Sequence, residues 1–170
     1  MTAAPPSPSP ANAVRIAIQI EQKLEQLRPA DAAYFRTQLN NFKIRINDAN
    51  KRWTAALAPY RGAKIVSYHN SWPNFARAFG LDVVDYVEPK PGVPPSPAHT
   101  FELIQLIKAQ RVKAIIMEPY FDVKTPQSIA QKTGANLVIL YPSVGGGKSG
   151  TDSYFQLFDT NVANLVKALK

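Results

Sequence analysis

From Lys64 onward the chain alternates short apolar runs with segments of helical spacing, and no other feature constrains the fold as strongly. The runs are Lys64 to Tyr68 (KIVSY), Val83 to Val87, Ala114 to Met117 (AIIM) and Leu137 to Leu140 (LVIL). Runs this short and this apolar read as strands covered on both faces, which is how a parallel sheet with crossover helices looks in sequence. The helices expected with them are Trp72 to Phe79, stopped by Gly80; Ala98 to Gln110; Thr125 to Thr133, ended by Gly134; and Asp152 to about Leu169. The predicted class is α/β: a four-stranded parallel sheet with crossover helices spanning residues 61–170.

Upstream of this unit the pattern differs. Residues 1–11, which begin MTAAPPSPSP, are small, proline-rich and uncharged, and are expected to be a disordered lead. Residues 12–60 read as two helices. Asn12 is a plausible N-cap for the first, which carries Val14, Ile16, Ile18, Ile20, Leu24 and Leu27 and is closed by Pro29. Asp31 caps the second, in which Phe35, Leu39, Phe42, Ile46, Ala49, Trp53 and Leu57 form one apolar seam ended by Pro59. At ~1.5 Å per residue this helix is about 40 Å long, more than a small α/β unit covers. Its far end therefore calls for another neighbour.

Composition narrows the function classes. The 170 residues include no cysteine, which removes disulfides, thiolate metal sites and a cysteine nucleophile. The net charge is +8, yet only 19% of residues are charged, and the basic residues of the long helix fall away from its seam as a solvated face. No nucleic-acid motif accompanies them, so no nucleic-acid partner is expected. No apolar stretch reaches the ~20 residues of a spanning helix, and Met1 to Pro10 has neither a basic start nor an apolar core, so neither membrane insertion nor a signal peptide is read here.

In open parallel sheets ligands bind past the carboxyl ends of the strands. Those ends carry His69, Glu88, Glu118 with Pro119 and Tyr120, and Tyr141 to Ser143. With the usual strand order, His69 and the two glutamates share one edge. His69 suits Zn²⁺ or a similar ion, or equally a hydrogen bond to a neighbour. Glu118 is expected at the mouth of an apolar strand, accepting loop amides or contacting a ligand, and Glu88 has the same placement before a stiff proline-rich loop. His99 reads as an exposed first-turn residue. Gly145 to Ser149 resembles the end of a phosphate-binding loop, but Pro142 stands where that loop needs its first glycine, and nucleotide hydrolysis is set aside. No nucleophile elbow is present, which leaves a small α/β hydrolase or transferase using His69 with Glu118 as the enzyme alternative.

The stretch from Lys64 to Leu140 resembles the second lobe of the zinc- and manganese-binding solute receptors of ABC importers, the cluster A-I family. The resemblance rests on His69, Trp72 and Phe75 after the first strand, the Glu88 to Pro97 loop with its Pro-Ser-Pro, and Glu-Pro-x-Phe from Glu118 to Phe121. Asp31 to Leu57 is similar to that family's long interlobe helix, and Asn12 to Leu27 to the end of its first lobe. The resemblance implies a Zn or Mn ion held in a cleft, with His69 as the one ligand that carries over. Glu118, Glu88, Tyr120 and Asp152 are then residues of the cleft edge or groups that orient a ligand, Asp152 standing in weakly for an acidic loop ligand whose place Pro142 holds. It also implies a periplasmic or extracytoplasmic setting and the membrane subunit of an importer as partner. Closed sites need about four ligands. The chain is therefore expected to be a single or truncated lobe with little affinity of its own, a half-receptor completed by a first lobe or a second copy, or a metal-free interaction module that kept the fold.

Overall fold

The computed structural model describes residues 9–145 and 150–170. Most of the proline-rich lead and Gly146 to Ser149 of the glycine loop lie outside the described residues. Helix α1 (Pro10–Leu27) starts two residues before the expected Asn12 cap, so Pro10 and Ala11 belong to the helix rather than to the lead. The reason is local chemistry. Ser9 accepts the Asn12 amide through its hydroxyl at 3.2 Å, and Pro10 takes a first-turn position where a missing N–H costs nothing.

A 3-10 turn at Pro29–Asp31 reverses the chain into α2 (Ala32–Leu57). Asp31 holds the N-cap position without a capping bond and pairs with Arg28 instead. Arg36 grips both carboxylate oxygens of Glu25, at 2.6 and 3.2 Å, tying α2 to α1. The seam of α2 does two jobs. Ile46, Ala49, Trp53 and Leu57 are buried in the main core, whereas Phe35, Leu39 and Phe42 look toward α1 across an apolar groove of about 210 Å³. Part of the missing cover for the long helix is thus α1 itself, while Ile16, Ile20, Leu27, Tyr34 and Ile44 remain exposed.

The α/β unit alternates β1 (Lys64–Ser67), α3 (Pro73–Phe79), β2 (Asp82–Tyr86), α4 (Pro97–Gln110), β3 (Ala114–Met117), α5 (Lys124–Thr133), β4 (Asn136–Ile139) and α6 (Tyr154–Leu169). All pairings are parallel, in the order β2-β1-β3-β4. Successive strand residues point to opposite faces, which explains the uniform apolar runs. Ile65, Ala114, Ile116 and Val138 pack with α2, α3 and α6; Val66 and Ile115 pack with α4 and α5. On the first face the Trp53 ring lies 4.7 Å from that of Phe158, and its indole N–H donates to Asp159 at 2.6 Å.

The winding fixes where a ligand can enter. From β1 the chain moves outward through α3 to β2, and from β3 it moves the opposite way through α5 to β4. The loops after β1 and β3 diverge onto opposite faces, opening a crevice at the carboxyl ends of these two central strands.

Candidate metal centre

Ladder bonds continue past the strands and set the crevice. Tyr68 donates to the Ile116 carbonyl at 2.7 Å, and the Val87 and Glu88 amides donate to the Ser67 and Tyr68 carbonyls, each at 2.9 Å. Glu88 thereby lies beside His69, because β2 is the neighbour of β1. The Ser67 hydroxyl and the Ser71 amide both donate to the His69 carbonyl, at 2.6 and 2.9 Å, which pins the turn.

The imidazole of His69 hydrogen-bonds through Nδ1 to Glu88 Oε2. The other oxygen of that carboxylate accepts the Gly92 amide at 2.7 Å, and the left-handed conformation of Gly92 (φ +76°) lets the loop turn back to supply it. Glu88 is 9% exposed and His69 27%. A carboxylate at Nδ1 keeps the proton there and leaves the Nε2 lone pair free, the arrangement that readies a histidine as a ligand. The Phe121 ring, from the loop after β3, stacks on Tyr68 at 4.5 Å and lies 5.9 Å from the His69 ring.

Glu118 differs from its expectation. It is fully buried, with the Ser71 side chain, its own amide and the Trp72 indole near its carboxylate but none of them in a hydrogen bond of normal geometry. Burial raises its pKa, against a weaker downward pull from the Ser71 side chain, its own amide, His69 and Trp72. The Tyr68 phenol is also raised, first by burial and then by the charges of Glu88, Asp122 and Glu118. Glu88, Asp122 and Glu118 thus all lie close enough to the Tyr68 phenol for their charge to act on it. Asp122 was not among the residues singled out from sequence; its place four residues after Glu118, in a turn that must double back over β3, was the available signal.

The remaining candidates separate. Tyr120 is exposed on the rim, its ring 4.8 Å from that of Phe121. Asp152 is exposed in the loop ahead of α6, which begins at Tyr154 under a Ser153 cap rather than at Asp152 itself. Among the described residues, no three His, Cys, Asp or Glu side chains gather in a set able to hold a metal ion. His99 is half-buried rather than exposed: its Nε2 meets the Tyr86 carbonyl at 2.9 Å and latches α4 onto the end of β2.

A doubly wound α/β unit with a carboxylate-held histidine at its switch point has the form of a ligand-binding lobe. The chain belongs to the family described as zinc-uptake complex component A, periplasmic, whose sequence model matches residues 8–168. Among curated relatives, it is 24% identical over 161 residues to the high-affinity zinc uptake system protein ZnuA of Haemophilus influenzae, covering 95% of this chain and 48% of that protein. It is 24% identical to the zinc-binding protein AdcA of Streptococcus pyogenes, covering 92% and 31% respectively. The chain thus spans half or less of the length of these relatives. A crystal structure of ZnuA superposes with a TM-score of 0.81 at 23% identity, over 95% of this chain and 60% of that one. A laminin-binding adhesin of Streptococcus agalactiae superposes with a TM-score of 0.81 at 26% identity, over 95% and 61%. These relatives are named for metal uptake, zinc binding and adhesion rather than catalysis, and the hydrolase alternative falls with them.

Proposed function

We propose that this chain is one lobe of a zinc or manganese receptor serving an ABC importer, with His69 Nε2 as its metal ligand. The observation that carries the reading is the engagement of His69 Nδ1 by a nearly buried Glu88, itself fixed by Gly92, at the crevice between β1 and β3. A neutral imidazole suits either ion, and the charge of Glu88 beside His69 favours a cation there. Glu88 orients the ligand; Tyr120 and Asp152 belong to the rim, from which they contact whatever closes the crevice. One ligand does not complete a tetrahedral site. The remaining donors come from outside the described residues, from a first lobe or a second copy of this chain, and the metal is cargo released to an importer membrane subunit on the extracytoplasmic side.

Calorimetric titration of Zn²⁺ and Mn²⁺, with the mass measured by light scattering in the same buffer, tests this. Weak binding is expected for the chain alone, abolished in His69→Ala and weakened about 10- to 100-fold in Glu88→Gln. Stoichiometry identifies the missing donors: one ion per two chains, at dimer mass, assigns them to a second copy. Binding unchanged in His69→Ala removes His69 as the ligand. A second reading, a metal-free interaction module, is favoured by the lack of a three-donor cluster among the described residues, and a titration without heat at any concentration would support it.

A further inference from the structure

Helices α4 and α5 lie side by side on the face of the sheet that carries Val66 and Ile115. Each returns from the end of one parallel strand to the start of the next, so both run the same way and begin at the carboxyl ends of the strands. Between them runs a solvent-open depression of about 500 Å³. Pro97, Phe101 and Ile104 line it from α4, and Lys124, Ser128 and Lys132 from α5. On each helix these positions step by three or four residues and so share one face. The depression is therefore a straight groove about 12 Å long, the rise of α5 from Lys124 to Lys132 at ~1.5 Å per residue.

The two walls differ in chemistry. The α4 wall is largely apolar, and Phe101 is 62% exposed on it, whereas Leu103 and Ile107 of the same helix are buried. The α5 wall is cationic. Lys132 lies in the last turn and is accounted for by the helix end, but Lys124 is the first residue of α5, where the helix dipole disfavours a positive charge. Asp122 serves the backbone there, accepting the Lys124 amide at 2.9 Å. Among the described residues neither lysine forms an ion pair, and no aspartate or glutamate lines the groove. Phe101 forgoes burial and Lys124 opposes its own helix dipole, and both face the same groove.

We propose that this groove docks an amphipathic helix of another protein, apolar on one side and acidic on the other. A third helix laid between two parallel neighbours follows a straight groove of this kind. Its apolar side meets Pro97, Phe101 and Ile104, and its carboxylates meet Lys124 and Lys132, two turns apart on the opposite wall. Charge and apolar surface are thus matched wall by wall. Single-stranded nucleic acid needs several rings on which to stack its bases, and Phe101 is the only ring in the lining. A flat bilayer does not enter a groove between two helices. Neither His69 nor Glu88 lines the groove, so docking here does not depend on a bound metal.

The probe is a fluorescein-labelled synthetic helix of about four turns, with leucine on one face and glutamate on the other, titrated with the purified chain by anisotropy at low salt. Its counterpart carries lysine in place of every glutamate. The acidic helix is expected to bind and the basic one not to. Phe101→Ala should weaken binding about tenfold, and Lys124→Gln with Lys132→Gln about fivefold with a flatter salt dependence. All three side chains are exposed, so the melting temperature should hold. Ile20→Gln, at the apolar groove of the helical hairpin, should change affinity less than about twofold. Docking at α4 and α5 is overturned if the acidic helix does not bind, if the basic helix binds as tightly, or if Ile20→Gln weakens binding as much as Phe101→Ala does. It is equally overturned, in favour of a membrane surface, if phosphatidylglycerol vesicles bind the native chain more tightly than the acidic helix does and lose that binding in the double lysine variant.

Discussion

Glu118 shows how one residue sets a pH response. Burial raises its folded-state pKa above the ordinary glutamate value that it regains on unfolding. Between those two values the folded state binds the extra proton, so stability falls as pH rises through the window and levels off above the folded pKa. Glu118→Gln keeps the shape without the ionisation. Its urea-unfolding stability is expected to be flatter with pH than that of the native chain and to exceed it at neutral pH; a parallel pair of pH profiles would mean that Glu118 is not the group responsible. His69 was legible in the sequence because a histidine closing an apolar strand is conspicuous. That it shares an edge with Glu88 followed from the usual strand order, but the direct bond between the two did not, since 19 residues separate them. Asp152 entered only through the resemblance, as a weak substitute for an acidic loop ligand, and the structure places it exposed in the loop ahead of α6.

At the scale of elements, the strands were legible because burial on both faces leaves a continuous apolar run, and the alternation then named the fold. Helix starts were less so. Ser9 took the cap expected of Asn12, and Ser153 caps α6, which was expected to begin at Asp152, because serine in extended backbone offers its hydroxyl to the amide three residues on. The anchor between β4 and α6 also escaped notice: Asn161, buried in α6, accepts the Tyr141 amide and donates to the Tyr141 carbonyl, both at 2.8 Å. Asn161→Ala strips partners from two buried main-chain groups and should cost about 2–4 kcal/mol in urea unfolding. Asn164→Ala, which loses one half-buried bond of 3.2 Å to the Ile139 carbonyl, should cost about 1 kcal/mol. Equal losses in the two variants would show that the Asn161 anchor has no special weight.

For the whole molecule, the helical hairpin leaves more apolar surface in water than a lobe of this size needs to. Ile16, Ile20, Leu27, Tyr34 and Ile44 are all exposed on the hairpin, Ile20 at the groove it shares with Leu24, Phe35 and Leu39. Ile20, more than half exposed, can be changed at little cost to folding, within about 0.5 kcal/mol. Ile20→Lys is expected to lower any concentration-dependent rise in mass seen by sedimentation while leaving the melting temperature nearly unchanged. A rise that persists in the variant would place the contact elsewhere. The sequence announced this surplus through the length of α2 but could not show that α1 would fold back over half of it, because that depends on the turn at Pro29.

Glu88 and Glu118 lie at the carboxyl ends of the strands and Arg61, Lys113 and Lys170 at the opposite end, so these groups give the lobe an electric moment roughly parallel to its sheet. In solution such a body turns in an applied field, and on a charged bead it does not adsorb at random. A cation-exchange matrix should therefore hold it one way round, with the His69 crevice facing the mobile phase.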